Sequence, residues 1–75
     1  MRVLLYGRLA DAIGRQIEVD GNSVAEARRE LASRHPAAAD ALNRSRACVA
    51  DTLVDDDYRL AAADELELLP PVSGG

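Results

Sequence analysis

One stretch of this chain reads as a strong helix, and everything else has to be arranged around it. Val24, Ala27, Leu31 and Ala32 recur at spacings of three, four and seven, the period of a helix with one apolar face. Ser23 with Glu26 three residues later has the form of a capping box and marks the start. Pro36 disfavours helical geometry at His35 and marks the end. Arg28, Arg29, Glu30 and Arg34 read as lying mostly away from the apolar stripe. The segments on either side have the character of strands. One helix must therefore cover one face of a single mixed sheet, because nothing else can bury it. The expected fold class is a two-layer α+β domain, one mixed sheet covered on one face by one main helix.

The strands follow from period and punctuation. Arg2 to Gly7 is a short apolar run bounded by glycine. A brief helical turn is expected over residues 8–13, ended by Gly14. Gln16-Ile17-Glu18-Val19-Asp20 alternates polar and apolar, as a half-buried strand does. Residues 36–42 are expected to form a second short, alanine-rich turn. Arg46 to Ala50 and Thr52-Leu53-Val54 read as a strand and its return, with Asp51 at the turn. Asp55-Asp56-Asp57 reads as a solvated loop, since it lacks the spacing of a calcium loop. Glu65-Leu66-Glu67-Leu68 alternates again, and Leu69 breaks the alternation. That extra leucine, next to Pro70-Pro71-Val72, predicts an apolar surface patch where a partner docks.

The chain has 75 residues, enough for one small domain that buries only about 60% of its unfolded surface. Tyr6 and Tyr58 are its only aromatic residues, so Leu, Val, Ile and Ala must build the core. A net charge of −4 is a poor surface for a phosphate backbone, which excludes nucleic acid as the expected partner. No apolar run approaches the roughly 20 residues that span a bilayer. The N-terminus lacks the segments of a secretory signal. The single Cys48 excludes an internal disulfide framework. A cytoplasmic location is expected. All nine basic residues are arginine, so the chain offers no lysine for an isopeptide bond.

The sequence ends Val72-Ser73-Gly74-Gly75. Two residues without side chains leave a terminal carboxylate on a thin thread, able to enter a narrow tunnel and open to activation. Pro70 and Pro71 do the opposite, since they fix φ and favour a stiff, extended stem. Residues 1–69 are expected to form the folded domain and residues 70–75 an extended tail. The terminal carboxylate is the candidate reactive group, and a carboxylate needs a leaving group before it becomes a good electrophile.

Strand order, length and the ending Leu69-Pro70-Pro71-Val72-Ser73-Gly74-Gly75 resemble the ubiquitin-like β-grasp sulfur carriers, and within them the MoaD type, the small subunit of molybdopterin synthase. Support comes also from Val3-Leu4-Leu5-Tyr6-Gly7-Arg8-Leu9, from Val24-Ala25-Glu26-Ala27-Arg28-Arg29-Glu30-Leu31, and from Asp64-Glu65-Leu66. The resemblance implies a ubiquitin-like β-grasp fold and a defined cycle. An E1-like adenylyltransferase of the MoeB type uses ATP to adenylate Gly75, and a sulfur donor then leaves a thiocarboxylate there. The tail enters the molybdopterin synthase large subunit, of the MoaE type, and sulfur passes to cyclic pyranopterin monophosphate for the molybdenum cofactor. It implies further that Gly74, Ser73, Val72, Pro71, Pro70, Leu69 and Tyr6 meet the partners, that the chain binds no cofactor, and that alone it has no activity. Family members often carry Arg in place of Ala10 and an aromatic residue in place of Leu69, so contacts there are expected to differ. Many have Gly in place of Ala63. If that position requires positive φ, Ala63 carries roughly 1 kcal/mol of strain.

Other chemistry is weakly supported. Cys48 sits between apolar residues and reads as a small hydrophobe. His35 has no second His or Cys nearby, so no metal site is expected. There is no Gly-rich phosphate loop, so ATP must be held by another protein, and no Ser-His-Asp set is arguable. The alternatives to a molybdopterin role are a carrier for thiamine, a thiolated nucleoside or an amino acid, a ubiquitin-like modifier attached to lysines, and a binding module with an idle tail.

Overall fold

The computed structural model describes residues 1–71. In chain order it contains β1 (Arg2–Leu5), α1 (Gly7–Ile13), β2 (Gln16–Glu18), α2 (Val24–Arg34), a 3₁₀ turn (Pro36–Ala38), α3 (Ala39–Arg44), β3 (Arg46–Val49), β4 (Thr52–Leu53) and β5 (Glu65–Leu69). The strands form one sheet in the order β2-β1-β5-β3-β4. β1 and β5 run parallel, and the other pairs are antiparallel. The last strand of the chain thus lies at the centre of a mixed sheet. Among the described residues no helix is long and apolar enough to cross a membrane.

The period-2 pattern decides which face each strand buries. Val3 and Leu5 pair with Leu66 and Leu68, and all four point into the core. A slip of one residue would turn that set to solvent, so the register of β5 is strongly specified. From the other layer Val24, Ala27 and Leu31 of α2 fill the same space, joined by Leu9 of α1 and Leu42 of α3. Two short helices therefore flank the main one. Residues 36–42 form more than a turn, because Leu42 is fully buried and packing carries the helix on to Arg44. β1 is shorter than the run Arg2–Gly7, since Gly7 already opens α1.

The start of α2 is built as its sequence implies. The Ser23 hydroxyl accepts from the Glu26 amide at 3.2 Å, and the Glu26 carboxylate accepts from the Asn22 amide at 2.8 Å. The Asn22 bond is the main reason that the Glu26 carboxyl titrates below its ordinary value of 4.5. A carboxyl lowered by folding adds stability above its ordinary value and loses that contribution as pH falls through its folded value. Ser23→Ala is expected to cost about 1 kcal/mol by urea unfolding at neutral pH. The advantage of the native chain over Glu26→Gln should fade as pH drops below 4.5. A pH-independent difference between those two proteins would contradict this cap.

One expectation about α2 is corrected. Arg28 does not lie away from the stripe: it is only 9% exposed. It stands four residues after Val24 and three before Leu31, so helical spacing puts it on the buried face. Its guanidinium donates to the Leu42 carbonyl, to Ser45 Oγ at 2.6 Å, to the Ser45 carbonyl at 2.9 Å and to Asp56 Oδ1 at 2.9 Å. These bonds make a buried cation tolerable, and they tie α2 to the turn between α3 and β3. Asp56 is accordingly more than a solvated loop residue, although its side chain remains 61% exposed. Arg34 also bridges elements, donating to the Glu18 carbonyl at 3.1 Å.

Candidate functional site

β1 and β5 are parallel, so both leave the sheet at the same end. β1 gives way there to Tyr6 and Gly7, and β5 gives way to Pro70 and Pro71. The site is the meeting of these two exits. The last rungs of β5 are Leu68 opposite Leu5 and Leu69 opposite Arg46. Proline has no backbone N–H, so Pro70 cannot extend the ladder as a donor. Its ring lies instead against Gly7, whose φ is +60°. Tyr6 donates its hydroxyl proton to Glu67 Oε2 at 2.9 Å, which fastens the β1 exit to β5. That bond, helped by partial loss of water and by the charges of Glu67, Glu65 and Asp51, raises the Tyr6 hydroxyl above its ordinary pKa.

The sheet face turned away from the helices is open. By register, Leu4, Glu67, Cys48 and Leu53 share it, with Arg46 and Leu69 beside them. Leu53 is 58% exposed, whereas Leu4 and Leu69 are half-buried. Leu69 is thus part of an outer apolar strip, as its break in the alternation implies. Two open clefts border the strip. One, of about 450 Å³, is lined by Leu4, Tyr6, Gly7, Ala10, Arg15 and their neighbours. The other, of about 330 Å³, collects Asp51, Asp64, Glu65 and Glu67. Ala10 therefore lines the first cleft together with Tyr6 and Gly7.

Of the predicted site residues, the structure brings together Tyr6, Leu69, Pro70 and Pro71. Val72, Ser73, Gly74 and Gly75 lie outside the described residues. Sequence reasoning missed Gly7 and Glu67 at this site. Glu67 looks like an ordinary outward residue of an alternating strand, and the role of Gly7 depends on a proline at the far end of the chain. The anticipated strain at Ala63 does not arise, because its φ is not positive. Among the described residues the left-handed non-glycine positions are Ala50 (φ 51°) and Asp51 (φ 65°), in the β3–β4 turn, where such angles match the twist of a tight hairpin. Cys48 is buried and His35 caps α2. Among the described residues no three His, Cys, Asp or Glu side chains are grouped to hold a metal ion. What the described surface offers is a braced stem on a rigid sheet.

The comparisons agree with this architecture. No curated protein matches the chain. Among solved structures, small archaeal modifier protein 1 of Haloferax volcanii is similar at 29% identity and a TM-score of 0.72, over 99% of this chain and 97% of that one. The complex of subunits 1 and 2 of the molybdopterin-converting factor of Helicobacter pylori contains a chain 24% identical, with a TM-score of 0.69 and 99% and 96% of the two chains covered. The BexX/CysO complex of Amycolatopsis orientalis gives 24% identity and a TM-score of 0.75, over 99% and 98%. At those last two identities the likeness concerns the fold. The ThiS family model matches residues 3–75. With its ubiquitin-like β-grasp sheet and an almost complete match to that model, the chain belongs to the ThiS family of ubiquitin-like sulfur carriers.

Proposed function

We propose that the chain is the sulfur-donating small subunit of a molybdopterin synthase. The observation that carries this reading is the stem: a central strand delivers Leu69-Pro70-Pro71 to the sheet end, and Val72-Ser73-Gly74-Gly75 follow in the sequence. The domain comprises residues 1–69 and the working tail residues 70–75. Gly75 is the covalent site. Its carboxylate attacks the α-phosphorus of ATP in an E1-like adenylyltransferase, and pyrophosphate leaves. A sulfur nucleophile then attacks the acyl carbon, AMP departs with the electrons of the C–O bond, and a thiocarboxylate remains. Gly74 gives steric clearance in each partner's tunnel. The outer strip of Leu4, Leu53 and Leu69, with Tyr6 at its rim, is the docking face, and Pro70, Pro71, Val72 and Ser73 meet the partners beside it. ATP and all catalytic groups belong to the partners. The cytoplasm is the expected site of this chemistry.

A second reading has a specific basis. Structural neighbours include an archaeal modifier and a CysO chain in a complex, so the same tail can serve another sulfur pathway or a protein-modifying one. Reconstitution separates them. Thiocarboxylated chain mixed with a molybdopterin synthase large subunit should convert cyclic pyranopterin monophosphate to the dithiolene product, one sulfur lost per Gly75 turned over. Sulfur passing only to another acceptor, or conjugates on lysines of target proteins, would establish the second reading instead.

A further inference from the structure

We infer that Gly7 is a positioning residue: the Pro70 ring seats on its bare backbone, and this seat sets the direction in which the tail leaves the sheet. The backbone ladder supplies no such control, because β5 makes its last rung at Leu69 and Pro70 has no N–H to donate. Contact supplies it. A Cβ placed on Gly7 would lie 2.6 Å from Cγ of Pro70, with Cδ at 3.6 Å and Cβ at 3.8 Å. Carbon atoms pack best at about 3.5–4.0 Å, so no side chain fits between them. A proline ring is closed onto its own backbone and cannot swing aside as a flexible side chain does. Any residue with a Cβ at position 7 therefore displaces the stem itself.

The platform under the ring is fixed on three sides. The Leu5 amide donates to the Arg15 carbonyl at 2.9 Å, Leu9 of α1 is anchored in the core, and Tyr6 is held by Glu67. Gly7 thus has two requirements at once, a left-handed φ and an empty Cβ position. The second comes from Pro70. For a carrier whose tail must enter a partner, a stem already aimed removes part of the ordering cost of binding, on the order of tenfold in affinity per residue fixed. That consequence rests on the carrier reading. The seat itself does not.

The test uses the full chain and a double-mutant cycle of Gly7→Ala and Pro70→Ala. In ATP–pyrophosphate exchange with the E1-like enzyme, each single variant should raise KM for the chain about tenfold with a much smaller change in kcat. The double variant should be no worse than the poorer single one, because both remove the same contact. Additive losses, or an unchanged KM for Pro70→Ala, would overturn the inference. Pro70→Ala adds no left-handed strain and so remains informative if Gly7→Ala unfolds. A nuclear Overhauser contact between the Gly7 Hα protons and the Pro70 ring protons tests the seat without any enzyme. Its absence overturns the seat. Its presence in a chain that supports no exchange upholds the seat and sinks the carrier reading.

Discussion

Replacing Arg28 with alanine should destabilise the protein by about 2–4 kcal/mol in urea unfolding at neutral pH, because buried acceptors lose a charged donor and the packing of the arginine stem is lost. The Ser45 carbonyl would lose its charged donor in a place water reaches poorly, at about 1–3 kcal/mol, while the Leu42 carbonyl keeps its bonds from the Ser45 hydroxyl and amide. The whole stability of a domain this size is only about 4–11 kcal/mol. The variant should therefore lose a large fraction of its stability. Arg28→Lys should recover only part of the loss, since one ammonium cannot span the acceptors that a planar guanidinium reaches together. Asp56→Ala should cost less than about 1 kcal/mol, because its carboxylate is mostly in water. A cost below 1 kcal/mol for Arg28→Ala would mean that the turn between α3 and β3 is held by packing alone.

Arg28 also marks where the sequence stops being legible. The strands, the limits of α2 and its cap are all local matters of period and punctuation, and each can be read from neighbouring residues. A charged side chain reads as solvent-facing, and the partners that draw Arg28 onto the buried face lie at residues 42, 45 and 56. The length of α3 is hidden for a similar reason: an alanine-rich segment has little amphipathic signal, and burial of Leu42 decides where the helix ends. At the candidate site, Pro70 was legible as a stiffener, and Tyr6 was named by resemblance. The pairing of Pro70 with Gly7 and of Tyr6 with Glu67 was not legible, since parallel pairing of the first and last strands creates both. The backbone angle at Ala63 is set by the loop around it, and one residue type does not fix it.

The second large effect concerns the tail. Deleting Gly75, or appending one residue after it, should lower sulfur transfer at least ~100-fold while leaving the fold and its unfolding midpoint unchanged. Adding a residue shifts the carboxylate by about 3.3–3.6 Å along an extended chain, which is several times the misplacement a transfer site tolerates. Gly74→Ala should also impair transfer, because a Cβ next to the reacting carbon narrows the approach of both nucleophiles. Normal transfer by an extended tail that is not first trimmed back to Gly75 would rule out the proposed chemistry.

The most direct test of the account is the intact mass of the chain after incubation with an E1-like enzyme, ATP and a sulfide source, followed by mapping of the C-terminal peptide. The expected result is the mass gain of one oxygen exchanged for one sulfur, confined to Gly75 and dependent on ATP. An unchanged mass under conditions in which the same enzyme thiocarboxylates another carrier would contradict the claim that this domain exists to present its last carboxylate.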